Sequence, residues 1–277
     1  MGQVFLASEE PGERFVALKL IRPEHRESPR IVERFAREAR ALEKLRHPGI
    51  ISILRSGEEG GVLYIAMELV AGRGLDGIID EANREATPLP VETVLEWGIR
   101  LAGGLGAAHA LGILHRDVKP SNVLVSTDGR PVLIDFGLAR DNDASHPTIT
   151  TRFVGSPAYS SPEQITAPSR ALDGRADVYG LGVTLYECLT GRLPFDAPDA
   201  PGVVHAILTQ PPPPLRRFAP SLPEEVERIV LRAIAKDPED RHPSAAALAE
   251  DLAGAIPGRG APIDVARPAR ERVPVAA

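Results

Sequence analysis

Polar and apolar positions change their period several times along this chain. Residues 15–21 alternate around a β-branched centre, 3–7 form a shorter mixed run, and Glu10-Pro11-Gly12 has the composition of a turn between two strands. From Pro29 the spacing becomes helical. Ile31, Val32, Phe35, Ala39, Leu42 and Leu45 fall on one face, and the pattern stops before His47-Pro48-Gly49. Two further strands are expected near 51–54 and 62–69, punctuated by Gly57 and Gly60-Gly61. Beyond Gly72 the character is mainly helical. Pro90 suits the opening of a helix that runs to about His109, with Gly112 just past its end. The interior glycines of that helix, Gly103, Gly104 and Gly106, weaken its propensity and point to close packing. Short apolar runs at 123–125 and 132–134 flank a turn at Asp128-Gly129. A buried helix is expected over 178–189, and two more near 224–235 and 244–252. No internal repeat is present, and 255–277 is expected to be a disordered tail rich in Pro and Arg.

Composition narrows the function classes. The chain has 277 residues, 43% hydrophobic and 25% charged, the balance of a protein that buries a sizeable core. Its net charge of -6 argues against a nucleic-acid partner. Arg is the dominant cation, and the only lysines are Lys19, Lys44, Lys119 and Lys236, so the positions that kept Lys are informative. A single cysteine, Cys188, excludes an internal disulfide framework and reads as a small core residue of a reducing compartment. No stretch has the ~18–20 apolar residues of a membrane span, and the first residues lack the pattern of a signal peptide. A cytoplasmic location without membrane insertion is expected.

The strongest chemical signal is His115-Arg116-Asp117-Val118-Lys119-Pro120-Ser121-Asn122, between an expected helix and an expected strand. Phosphoryl transfer asks a protein for positioning, charge neutralisation and a group oriented on the attacking hydroxyl. Asp117 suits the last role, Lys119 can meet the transferring phosphate, and Asn122 can face a metal. Asp135-Phe136-Gly137 follows directly after the apolar run at 132–134. Asp135 offers the hard oxygen that Mg²⁺ prefers.

With these motifs the chain resembles the bacterial branch of the Hanks-type Ser/Thr protein kinases over about residues 1–254. The resemblance implies an α+β, bilobal fold. A small antiparallel N-lobe with one helix would cover 1–69, and a mainly helical C-lobe 70–254. Val16-Ala17-Leu18-Lys19 resembles the motif whose Lys holds the α/β-phosphates, and Glu38 matches the helix residue that pairs with it. Met67-Glu68-Leu69 resembles the hinge, with Met67 as gatekeeper and the backbone of Glu68 and Leu69 meeting adenine. Gly155-Ser156-Pro157-Ala158-Tyr159-Ser160-Ser161-Pro162-Glu163-Gln164 resembles the end of an activation loop; Ser156 stands where Thr is usual, and Ser160 where an apolar residue is usual. The family pairs the Glu at position 163 with a late Arg, which Arg241 matches, and it uses the Asp matched by Asp177 to anchor the catalytic loop. Phe136, Gly137 and Arg116 take structural parts in the same scheme. ATP and Mg²⁺, with Mn²⁺ as the alternative metal, are the implied cofactors.

In related kinases the Arg before the catalytic Asp gathers an activation-loop phosphate. Thr148, Thr150 and Thr151 are the candidate acceptors here, and autophosphorylation through a transient homodimer is the expected route. The family's glycine loop is matched only by Gly2 and Val4, with Met1 at the motif's own Met. Either translation begins there or the protein extends upstream, and the intact downstream positions favour the second. Three readings follow: a kinase acting on Ser/Thr hydroxyls of proteins, a pseudokinase-like binding module with a weakened nucleotide lid, and a small-molecule phosphotransferase. The third is disfavoured by the long segment between the DFG and SPE motifs.

Overall fold

Strand and helix periods both find partners in the folded chain. The computed structural model describes residues 3–9, 14–20, 29–136, 157–166 and 172–256, with the side chains of 9 and 29–34 outside that description. Gly2, Gly137, Thr148, Thr150 and Thr151, together with Met1, Gly155, Ser156 and the tail beyond 256, lie outside the described residues.

The N-terminal sheet comprises β1 (Gln3–Glu9), β2 (Arg14–Leu20), β3 (Ile53–Glu59) and β4 (Val62–Glu68), all antiparallel in the order β1-β2-β4-β3. Helix α1 (Pro29–Leu42) packs on β3. Register decides which residues share a face. Val4 opposes Lys19, which opposes Ile65; Leu6 opposes Ala17, which opposes Met67. These six therefore lie on one face of the sheet. β3 is longer than its apolar signal at 51–54. Arg55, Glu58 and Glu59 occupy an edge strand, where solvent accepts charge and erases the alternation. At the opposite edge of the described sheet, β1 leaves Val4, Phe5 and Leu6 exposed.

A second sheet holds β5 (Gly72–Gly74), β6 (Val123–Ser126) and β7 (Pro131–Leu133), in that order. Among the described residues, helices α2 (Leu75–Arg84), α3 (Val91–His109), α4 (Pro162–Thr166), α5 (Arg175–Thr190), α6 (Ala200–Thr209), α7 (Glu224–Ala233) and α8 (Ala245–Gly254) build the other lobe. Helix α5 is buried without interruption from Ala176 to Tyr186, so it has no polar face and serves as the centre of the lobe. It ends at Gly191, left-handed with φ 68°. Helix α3 packs on α5, α8 and β7. The Ser244 hydroxyl caps α8 by accepting from Ala247 N–H.

The lobes are joined behind α3 by residues 49–51. Ile51 N–H donates to Leu133 C=O, and Leu133 N–H to Gly49 C=O, so the segment leaving the N-lobe helix adds a bridge to β7. Gly104 of α3 faces this crossing. A Cβ there would lie 2.8 Å from Ile50 Cγ1 and 3.3 Å from Gly49 O, whereas one at Gly106 would meet Ala246 only at 3.7 Å. Close packing thus accounts for the first glycine and not for the second. Gly104→Ala is expected to destabilise the chain by about 1–3 kcal/mol through overpacking. Gly106→Ala should be neutral or stabilising by up to about 1 kcal/mol, because it gains helix propensity without a clash. Urea unfolding of both variants measures the contrast, and equal shifts would refute it.

Candidate active site

The loop that carries the chemistry hangs from one carboxylate. After α3 the chain reverses at Gly112, φ 73°, and reaches His115. Asp177, in the first turn of α5 and 1% exposed, accepts from His115 N–H at 2.8 Å and from Arg116 N–H at 2.7 Å. Its Oδ2 also lies 2.7 Å from His109 Nε2. Burial alone would raise the Asp177 carboxyl, but the His109 bond and the neighbouring imidazoles outweigh it and hold the group below the usual carboxylate range. Arg116 is left-handed at φ 64°, a conformation that costs a non-glycine residue about 1–3 kcal/mol and needs such an anchor.

Within that held loop the side chains converge. Asn122 Nδ2 donates to Asp117 C=O at 2.7 Å and to Asp117 Oδ2 at 3.0 Å, and Lys119 Nζ lies 3.0 Å from the same Oδ2. Pro120–Asn122 forms a single 3₁₀ turn, and that turn folds Asn122 back on Asp117. Since the Asn122 amide nitrogen is committed, its Oδ1 is the atom free to meet a cation.

Asp135 follows β7 in the left-handed region at φ 60°, and its Oδ1 is 2.5 Å from Lys19 Nζ. The resemblance implied that Lys19 would pair with Glu38. Among the described residues the ion pair of Lys19 runs to Asp135 instead, while Glu38 is half-buried on α1. With this left-handed backbone the Asp135 carboxylate meets the sheet face that carries Lys19. The same turn places Phe136 against the imidazole of His115, ring centres 4.6 Å apart, and His115 Nε2 bonds Ile134 C=O at 2.8 Å.

Val4, Ala17 and Met67 share the face of Lys19, so four of the expected nucleotide-site side chains lie on the sheet face that meets Asp135 through Lys19. Glu68 points to the opposite face: its carboxylate accepts from Ser52 N–H, and its own N–H donates to Ser52 C=O. Glu68 and the exposed Leu69 line a separate cleft of about 560 Å³ with His47, Ser52, Asp128 and Arg130. No member of the Lys19, Asp117, Asn122 and Asp135 cluster lines it. Any contact of Glu68 and Leu69 with a base in the Lys19 cleft would therefore be through backbone atoms.

The structure brings Glu163 and Arg241 together. Arg241 is 1% exposed, and all five of its N–H groups find acceptors: two on Glu163 at 2.7 and 2.8 Å, and the carbonyls of Ala235, Arg175 and Lys236. Two contacts had no signal in the sequence, although Gln164 itself belongs to the motif that ends the activation loop. Gln164 Nε2 donates to Arg116 C=O at 2.9 Å, tying α4 to the catalytic loop, and His109 reaches Asp177. Their partners lie 48 and 68 residues away, beyond any local period.

Three imidazoles give the stability a pH dependence. Burial pushes His115, His47 and His242 below the ordinary value of 6.5, helped by the cations of Arg100 at His47 and Arg232 at His242. Each lowered pKa means that the folded state binds fewer protons than the unfolded state below pH 6.5, so stability is lost as pH falls through that value. The slope is up to about 1.4 kcal/mol per pH unit for each group. Glu187, pushed up by burial, opposes this at the acid end. The urea midpoint is expected to fall from pH 7 to 5.5, and less steeply in His47→Gln; parallel profiles would rule out the His47 contribution.

Comparison with known proteins agrees with this geometry. The protein kinase domain family matches residues 1–252. The chain is 40% identical over 263 residues to serine/threonine-protein kinase pkn3 of Myxococcus xanthus, covering 91% of this chain and 47% of that protein. It is 36% identical over 252 residues to serine/threonine-protein kinase PrkC of Bacillus subtilis, covering 91% of this chain and 38% of the relative. It therefore spans less than half the length of these relatives. The crystal structure of the Mycobacterium tuberculosis PknI kinase domain superposes with a TM-score of 0.71 at 33% identity, covering 91% of this chain and 90% of that one. The chain belongs to the protein kinase domain family, in its bacterial Hanks-type branch.

Proposed function

We propose that this chain transfers the γ-phosphate of Mg-ATP to Ser and Thr hydroxyls of other proteins. The observation that carries the proposal is the cluster of Asp117, Lys119 and Asn122 within one short loop, with Asn122 and Lys119 both bonded to Asp117 Oδ2. Asp117 orients the substrate hydroxyl and accepts its proton. The hydroxyl oxygen forms the new bond to Pγ, the bond from Pγ to the β-bridging oxygen breaks, and ADP leaves. Lys119 offsets the charge on the equatorial oxygens during this exchange. Lys19 binds the α/β-phosphates, and Val4, Ala17 and Met67 give the base an apolar wall.

The donor chemistry suits a magnesium ion, with manganese as the alternative. Asp135 supplies a carboxylate and Asn122 an amide oxygen. A magnesium ion held by these two groups would draw its remaining oxygen ligands from phosphate and water. A bound divalent ion would neutralise the phosphates and hold them in line.

Regulation by autophosphorylation at Thr148, Thr150 or Thr151 in a transient homodimer belongs to the same reading, with Arg116 as the phosphate's partner. No described helix is long and apolar enough to cross a membrane, which suits a domain working in the cytoplasm.

An assay with Mg-ATP and a generic protein substrate tests the activity. Asp117→Asn is expected to lower kcat by about 10²–10⁴-fold while nucleotide binding persists, and phosphoamino-acid analysis should return phosphoserine and phosphothreonine. Equal rates for wild type and variant would refute the assignment, and nucleotide binding without transfer in the wild type would identify a binding module. Phosphopeptide analysis of an active preparation should find phosphate on at least one of the three threonines; its absence from all of them would refute the regulatory reading.

A further inference from the structure

Asp177 has a third partner that neither the motifs nor the family resemblance assigned, and it comes from a different helix. His109 closes α3; its Nε2 is 2.7 Å from Asp177 Oδ2, the oxygen that also accepts from His115 N–H. Because the partner is a carboxylate, Nε2 carries the proton and donates. The backbone of His109 is tied into the same route: its C=O accepts from Gly112 N–H at 2.9 Å, where the chain turns toward the loop. Space for the ring is built in. A Cβ on Gly174, the residue just before α5, would come within 2.6 Å of His109 Nδ1 and 2.8 Å of Cε1. The ring is thus clamped between the end of α3 and the start of α5, with its one donor aimed at the loop's anchor.

We infer that His109 is a positioning residue for phosphoryl transfer. It fixes the orientation of the Asp177 carboxylate, and through the His115 and Arg116 amides it fixes the backbone that presents Asp117. The three bonds are interdependent in geometry. A carboxylate held only by two consecutive amides can pivot about them, whereas a third donor from a separate helix removes that freedom. Arg116, left-handed and otherwise prone to relax, is where a pivot would be felt first, one residue before Asp117. His109 touches none of Lys19, Asp117, Lys119, Asn122 or Asp135 through any described hydrogen bond or ion pair, so its loss should leave nucleotide affinity intact.

The inference rests on the kinase reading only for its effect on rate, and the test separates the two. His109→Leu fills the same space without a donor, and His109→Gln restores an amide N–H at similar reach. Amide hydrogen exchange at His115 and Arg116 is expected to speed up about tenfold or more in the Leu variant and to stay near wild type in the Gln variant. In the protein kinase assay the Leu variant should lose about tenfold or more in kcat with KM for ATP changed less than about threefold, and the Gln variant should recover most of the rate. Unchanged exchange in the Leu variant, equal effects of Leu and Gln, or a loss confined to KM would each overturn the proposal. If His109→Leu does not fold, His109→Asn, whose amide is too short to reach Asp177, takes its place in the same comparison. A wild-type chain without activity would refute the kinase reading, and the exchange measurement would still decide the role of His109.

Discussion

The burial of the Asp177 charge is the constraint on which the remaining geometry depends. A carboxylate with 1% exposure, stripped of water, is tolerable only when donors replace its hydration. Here those donors are the backbone of the catalytic loop and a side chain of α3, so satisfying the charge and shaping the loop are one event. Helix α5 could hardly offer the carboxylate from a firmer base, since it is enclosed from Ala176 to Tyr186 by the packing of the lobe. Order in the site is therefore inherited from the core rather than generated locally. The left-handed Arg116 and Asp135 are two strained points that this inheritance supports.

A similar logic operates at the far end of the activation segment. Glu163 leads into α4 and meets a guanidinium whose every N–H is engaged, while Gln164 bonds the carbonyl of Arg116. The segment's return to the lobe is thus fastened on two sides, once to the buried Arg241 and once to the catalytic loop. An ammonium could not reproduce the first fastening, having three donors and no planar fork. The preference of this chain for Arg over Lys has a structural reason at this position at least.

Much of this was legible in the amino-acid order. Helix α1 announced itself through its helical period, α3 through Pro90 at its opening and Gly112 past its end, and α5 through an apolar stretch, while the loop from His115 to Asn122 carries its chemistry in contiguous residues. Other elements were not legible, for identifiable reasons. Helix α2 buries only Leu75 and Ile79 and contains Gly77, too little apolar period for a short segment. Helix α6 begins Ala200-Pro201-Gly202 and continues with the β-branched pair Val203-Val204, a composition that favours a turn or strand over a helix. Strand β3 is polar because it lies at an edge. At the site, the ion pair of Lys19 with Asp135 joins residues 116 positions apart, a proximity no residue pattern records. His109 and Gln164 act across distances in sequence that only the packed fold closes.

The outer strand β1 has a bearing on how this domain behaves in concentrated solution. Val4, Phe5 and Leu6 stand side by side on it with 56, 45 and 65% of their surface in water, and Phe15 on the adjoining strand adds 58%. A strand at a sheet's border with that profile offers backbone N–H and C=O groups together with a ready hydrophobic flank, the combination that recruits other strands. Among the described residues of the small lobe, exposed apolar surface is thus concentrated on these two strands. A charge at Leu6, the most exposed of them, would raise solubility while leaving the interior of both lobes untouched.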